Sequence, residues 1–465
     1  MTNKNHQTSL ASNLSISELR TAFKGQVIAP GDDAYDEART VFYGGIDRHP
    51  AVIIRVVNAD EVARVISLAR ESGLELAVRS GGHSTSGHSV SEGGIVLDLS
   101  NMRDLQIDVD GRTAWAETGL TAGEITSAVG EHGLAIGFGD TGSVGIGGIT
   151  LGGGVGYLVR KYGLTIDSLL AAEVVTADGR LLHVDADHHP DLFWAIRGGG
   201  GNFGVATRFQ FRLHEVPSVV GGMLILSATP ETIAGFIAAS EAAPEELSGI
   251  GNVMFAPPMP FLPPEAHGKL IIFAFLVYAG ETEAGQRALA PFRVLATPLA
   301  DMLKPMALPE IYPPEEGEYH PVAAARTMFV DKIDLAVAKT IVDHLQESTA
   351  MMKVAQLRVL GGAMARVPED ATAFAHRKSK IMVNVAALYE NPDEKPTHEA
   401  WVADFASALL QSDKGAYVNF LGDEGEARIR AAYPGSTWDR LAEVKARYDP
   451  TNLFRLNQNI APVSA

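Results

Sequence analysis

Three glycine-rich stretches crowd the first part of this chain: "RSGGHSTSGHS" (79–89), "GFGDTGSVGIGGITLGGGVGYL" (137–158) and "RGGGGNFG" (197–204). Each borders a strand-like or helical pattern, so each is a loop, and a loop with so little bulk is one whose backbone comes close to a ligand. Converging backbone N–H groups hold phosphate oxygens without any cationic side chain. One such loop alone reads as a tight turn, whereas three together indicate a large cofactor carrying a pyrophosphate. A nicotinamide dinucleotide on a Rossmann fold is the poorer reading. "GIGGITLGGGVG" contains G-x-G-x-x-G-like spacings, yet no clean strand precedes it and the acidic residue expected after a second strand is hard to place.

Between the loops the pattern is α/β. "AVIIRVV" (51–57) reads as a buried strand, Asp60 precedes a helical pattern of Val62, Val65, Ile66 and Ala69 that stops at Gly73, and residues 74–79 form a strand leading into the first glycine loop. Upstream, Ser15 and Glu18 make a candidate capping box. Further strands are expected at 94–100 and 113–119, then a helix near 122–133. Asp178-Gly179 marks a hairpin, and Val205, Thr207, Phe209 and Phe211 alternate with Ala206, Arg208, Gln210 and Arg212. From Val219 to about Lys414 the glycine clusters vanish in favour of proline-rich loops such as "APPMPFLPPE", strand-like runs at 269–279 and 380–389, and amphipathic helices at 335–346 and 398–410. We therefore expect an α+β chain: a first domain over 1–217, a substrate-binding domain over 218–414 with an antiparallel sheet covered by helices, and a segment, 415–465, that returns to the first domain.

Composition narrows the partners. A length of 465 residues with 46% hydrophobic content suits two globular domains. The 38 basic against 56 acidic residues, a formal charge of −18, exclude nucleic acid and anionic membrane as natural partners. The longest apolar run, Leu270 to Ala279, is about half the ~20 residues of a membrane helix. No apolar leader follows the early lysine of "MTNKNHQTSLASNLSISEL", so a soluble, cytoplasmic protein is expected. The chain has no cysteine, which removes disulfides, thiolate metal sites and thiol nucleophiles and assigns any redox chemistry to a cofactor. No metal is expected. "DADHHPD" (185–191) has two histidines and three aspartates, but adjacent side chains diverge and a solvated loop accounts for it.

The three loops, with "PDLFWAIRGGGGNFGV", "GAYVNFLGDEG" and "RLAEVKARYDPTNLFRLNQNIAP", resemble in order the signatures of the berberine-bridge-enzyme-like FAD-linked oxidases of the vanillyl-alcohol oxidase superfamily. The likeness covers the first domain and the C-terminal segment. It implies a PCMH-type FAD-binding domain of two α/β subdomains, with its core at 46–217. In that family the first loop wraps the pyrophosphate, and its histidine bonds covalently to the 8α-methyl of the flavin. The matching tether here is His83, among Arg79, Ser80, Gly81, Gly82, Ser84, Gly87 and His88. Further cofactor contacts implied by the likeness are Thr141, Gly142, Val144, Gly147, Gly148, Gly152, Gly154 and Gly156 in the second loop. Gly204 and Val205 follow the third loop, and Asn457 and Asn459 lie in the tail. Many members add a second tether from a cysteine. Thr141 stands at that position here, so the FAD is expected to be monocovalent, as in the subgroup of bacterial 6-hydroxy-D-nicotine oxidase and the enterocin-biosynthesis flavoprotein.

The implied chemistry is hydride transfer from a substrate C–H to flavin, with O2 then reduced to H2O2. A dehydrogenase or oxygenase on the same fold, or a silent FAD-retaining protein, are the alternatives. The substrate is expected to be a small molecule: an alcohol, an amine or a secondary-metabolite intermediate. Relatives often carry Y-x-N-Y, whose last tyrosine can act as base; here the segment is "YVNF", so Tyr417, Asn419 and Phe420 enter the pocket without that phenol. Tyr319, His320 and Tyr389 are further polar candidates. The catalytic base and the oligomeric state are not legible in the sequence.

Overall fold

The computed structural model describes residues 14–216, 218–312 and 319–463. Residues 1–13, where a leader was sought, and Pro217, at the expected domain boundary, lie outside the described residues. The first sheet contains β1 (Gln26–Ile28), β2 (Val52–Arg55), β3 (Leu76–Arg79) and β4 (Ile95–Asp98) in the order β1-β2-β4-β3. β2 and β3 flank β4 in parallel, with helix Ala59–Ser72 as the crossover. Val52, Ile53 and Ile54 are fully buried, because a parallel strand covered on both faces carries an unbroken apolar run. Asn58, rather than Asp60, is the N-cap of the crossover helix and accepts the Glu61 amide, while Gly73 ends it at φ +70°. At Ser15 the side chain caps helix Ile16–Ala22 by accepting the Glu18 amide.

Next come β5 (Leu105–Asp108), β6 (Thr113–Glu117), β7 (Leu134–Ala135), β8 (Leu169–Val175), β9 (Leu181–Val184), β10 (Val205–Arg212) and β11 (His214–Glu215). Five of these form an antiparallel sheet ordered β5-β6-β10-β8-β9, and β7 pairs with β11. The Asp178-Gly179 hairpin joins β8 to β9, with Gly179 at φ +84°. β10 buries Val205, Thr207, Phe209 and Phe211 and leaves Arg208, Gln210 and Arg212 more open, as its alternation predicted, whereas Ala206 of the second set is also buried.

The remaining strands are β12 (Val219–Ser227), β13 (Leu247–Phe255), β14 (Leu270–Ala279), β15 (Ala300–Asp301), β16 (Lys304–Met306), β17 (Ala323–Val330), β18 (Met352–Val359) and β19 (Ile381–Leu388). They build an antiparallel sheet ordered β15-β12-β14-β13-β18-β19-β17, with β16 also on β12. One face packs against helices Pro230–Ala242, Leu335–Glu347 and Lys395–Leu409 through Ile233, Phe236, Ile341, Leu345, Val402 and Phe405. Period-two alternation leaves Asn252, Gln356, Asn384 and Thr327 on the opposite face, in register across four strands. After this sheet the chain returns: Ala416, Leu421, Leu441, Ala442, Val444 and Ile460 join one core with Trp194, Phe203 and Phe209. Lys445, wholly buried, donates to Asn202 O at 2.8 Å, Phe454 O at 3.1 Å and the Asp449 carboxylate at 2.6 Å, pinning the tail to the third glycine loop. No helix among the described residues is long and apolar enough to cross a membrane.

Candidate active site

A cavity opens where the glycine loops, the tail and the eight-stranded sheet meet. Its first wall is backbone. A Cβ on Gly81 would stand 2.2 Å from the Gly145 nitrogen, and one on Gly145 would stand 2.2 Å from both the Gly81 nitrogen and Ser80 Oγ. Only glycine permits this interlocking of the first two loops. Ser80 fixes the junction by donating to Thr118 O at 2.6 Å and accepting the Gly147 amide at 3.2 Å. His83 lies on this wall, its imidazole stacked on Phe42 with centroids 4.2 Å apart and its Nε2 3.1 Å from Ser143 Oγ.

Most of the expected cofactor residues line the cavity: Ser80, Gly81, Gly82, His83, Ser84, His88, Thr141, Val144, Gly147, Gly148, Gly204, Val205 and Asn457. The others do not line it. Arg79 is drawn away by the buried Asp98 carboxylate at 2.9 Å and by Ala38 O, so it braces β3 against β4. Gly87 packs on Ile46, and Gly142 on Tyr312. Gly152, Gly154 and Gly156 lie behind the wall, where a Cβ would collide with Asn419, Thr165 and Phe138 O respectively, so their smallness serves packing. Asn459 is half-buried outside the cavity, while Asn457 lines it and donates to Gly201 O at 3.0 Å. His88 is held neutral: burial first, then the Arg48 charge, lower its pKa to about 4, against an opposing pull from Asp423.

The second wall is side chain. Gln356, Arg358 and Asn384 of β18 and β19 face the cavity with Ala325, Tyr417, Asn419 and Phe420. Arg358 pairs with Asp140 of the second glycine loop, donates to Val155 O at 3.3 Å and lies over the Phe420 ring. Gln356 accepts from Arg358 at 2.6 Å and donates to Asn252 Oδ1 at 3.2 Å, so its amide orientation is fixed. Tyr417 Oη accepts from the Gly154 and Val155 amides at 3.0 and 3.2 Å and from Asn419 Nδ2 at 2.9 Å, and Ile149 O holds Asn419 in the donating orientation. Tyr389 instead packs on His398 in the helix-side core, Tyr319 is exposed, and His320 Nδ1 lies 3.0 Å from Val41 O, so none of these three lines the cavity.

Sequence reasoning missed the sheet residues and Asp140, since nothing in a strand pattern reveals which polar side chain meets a ligand. It also missed Tyr433 and Gln458; Gln458 donates to Leu421 O at 2.9 Å beside the cavity. In the loop between β9 and helix Pro190–Ala195, His188 and His189 diverge as expected, toward Asp185 and Tyr448 respectively. His183, not singled out in the sequence, joins Asp185 and His188, with ligand atoms within 4.8 Å of one another, outside the cavity.

Comparison with known proteins gives the class of this chain, an FAD-dependent oxidoreductase. Residues 50–185 match the family model for an FAD binding domain and 416–461 that for berberine and berberine-like proteins. The chain is 32% identical to the uncharacterised FAD-linked oxidoreductase YvdP of Bacillus subtilis, over 95% of this chain and 99% of that one. It is 29% identical to (R)-6-hydroxynicotine oxidase of Paenarthrobacter nicotinovorans, over 95% and 97%. The crystal structure of 6-hydroxy-D-nicotine oxidase from Arthrobacter nicotinovorans superposes with a TM-score of 0.85 at 26% identity, over 94% and 98%. The chain belongs to the berberine-bridge-like family of FAD-linked oxidoreductases.

Proposed function

We propose that this chain is an oxidase carrying one FAD covalently bound through His83, that it oxidises a C–H bond of a small, uncharged alcohol or amine, and that O2 is its electron acceptor. The residues fit the cofactor: the Gly81–Gly145 contact brings two loop backbones as close as a pyrophosphate cradle needs, and two side chains of the cavity wall, Ser89 and Tyr433, hold buried polar atoms without a partner among the described residues. The observation that carries the tether is the His83 ring, held between Phe42 and Ser143 on the cavity wall in a chain with no cysteine for a second bond. FAD, when bound, supplies the electron-pair acceptor for the C–H oxidation.

The chain's own residues set what can enter. Arg358 has its charge matched by Asp140, and Gln356 has its oxygen taken by Arg358 and one of its two amide N–H groups taken by Asn252. Asn384 Oδ1 is buried without a partner among the described residues, leaving an acceptor for a substrate O–H or N–H. Burial raises the Tyr417 pKa even though three donors at its oxygen pull the other way, and Phe420 has no hydroxyl, so the "YVNF" segment positions rather than deprotonates. A neutral amine, or an alcohol that needs little proton removal in the hydride step, suits that wall.

Acid precipitation of the purified protein tests the tether: the yellow colour is expected to stay with the peptide containing His83, and His83→Ala to release it. Retention of flavin by the variant overturns the assignment. One H2O2 per substrate oxidised identifies the oxidase; oxygen incorporated into product identifies an oxygenase instead.

A further inference from the structure

Three buried side-chain atoms on the cavity wall lack a hydrogen-bond partner among the described residues: Ser89 Oγ, Asn384 Oδ1 and Tyr433 Oη. Tyr433 is the most deeply buried of them, at 1% exposure. It follows helix Glu426–Ala432, whose end carries its backbone through a bond from Tyr433 N to Arg430 O. The ring packs in the core shared by Phe203, Leu441 and Ala432. Its hydroxyl points to the third glycine loop, where a Cβ on Gly200 would lie 3.8 Å from the oxygen. A phenol whose ring alone were needed for packing would be served by phenylalanine, and the buried hydroxyl carries an uncompensated loss of hydration in the protein alone.

We propose that the Tyr433 hydroxyl is a hydrogen-bonding contact of the bound FAD, made from the glycine-loop side of the cavity. The location separates it from substrate recognition, because Asn384 approaches the same cavity from the sheet wall whereas Tyr433 stands beside Gly200, Gly201 and Asn457. Burial raises the Tyr433 pKa, so the group stays a neutral phenol and donates to an acceptor atom of the dinucleotide. The glycines of the third loop give this contact its room: Gly200 has φ +71°, and its amide is held by Leu151 O at 3.0 Å.

The contact makes opposite predictions for the empty and loaded protein. In a full-length His83→Ala background, where the cofactor dissociates, Tyr433→Phe is expected to weaken FAD binding about tenfold, read by fluorescence titration. The melting temperature of the flavin-free protein is expected to stay level or rise, because the substitution removes an unpaired polar atom. His83→Gln serves as the background should His83→Ala fold poorly. An unchanged Kd, or a flavin-free form that melts lower once Tyr433→Phe has removed the hydroxyl, overturns the proposal, the latter meaning that the hydroxyl is already satisfied by bound water. If flavin stays covalently attached in the His83 variants, the tether assignment fails on its own. The holoenzymes then still test Tyr433, and Tyr433→Phe must melt lower than the parent with flavin bound.

Discussion

The two walls of the cavity are made of different material. The glycine-loop wall presents backbone, and its geometry depends on side chains that are missing: Gly81 and Gly145 interlock because neither has a Cβ. The sheet wall presents side chains, and Arg358, Gln356 and Asn384 are placed by strand register. A wall of the first kind tolerates almost no addition. One of the second kind can be rewritten residue by residue with the fold kept, which suits a common cofactor and variable substrates.

The sharpest way to break this contrast is to add one methyl to the first wall. Gly145→Ala is expected to abolish flavin incorporation and to cost more than about 4 kcal/mol, because its Cβ meets rigid backbone; yellow, stable protein from this variant would end the distinction. The seam between the walls comes next. Arg358→Met leaves Asp140 without its partner and frees Gln356, and we expect a loss of about 2 kcal/mol in urea unfolding. That value is below that of a fully buried pair because the Asp140 side chain is 24% exposed.

On the sheet wall, Asn384→Leu is expected to lower kcat/KM by about tenfold for the best substrate, with flavin content and fold unchanged. Loss of flavin instead would show that the sheet wall serves the cofactor. The effect most narrowly confined, to acidic pH, is the pH dependence of the His88 loop. His88 and His214 both have pKa values lowered to about 4 by burial, so unfolding takes up protons between about pH 4 and 6.5. Stability therefore rises with pH through that window and falls as pH drops. His88→Gln should flatten the slope by up to about 1.4 kcal/mol per pH unit, which denaturant titrations at a series of pH values measure.

The same contrast explains what the sequence disclosed. Glycine clusters, the Asp178-Gly179 hairpin and the alternation of β10 are local signals, since each residue type answers to its own backbone, and the glycine-loop wall follows from them. Gly152, Gly154 and Gly156 show the limit: small residues are required both by a ligand and by close packing, and sequence does not separate the two. The partnership of Asp140 with Arg358, across 218 positions, has no local signature. Tyr389 and Asn384 are both polar residues near one strand, yet one lies against helices and the other faces the cavity, because register decides the face and a one-residue shift reverses it.

The Lys445 clamp has a consequence for biosynthesis. Residues 454–458 furnish part of a cavity otherwise begun by residue 42, and the ammonium that seats them reaches back to Asn202. During translation the N-terminal portion emerges first, but its binding chamber stays open on one side until the tail has left the ribosome. The cavity is thus complete only once synthesis ends, and a chain truncated before residue 454 lacks that side of it.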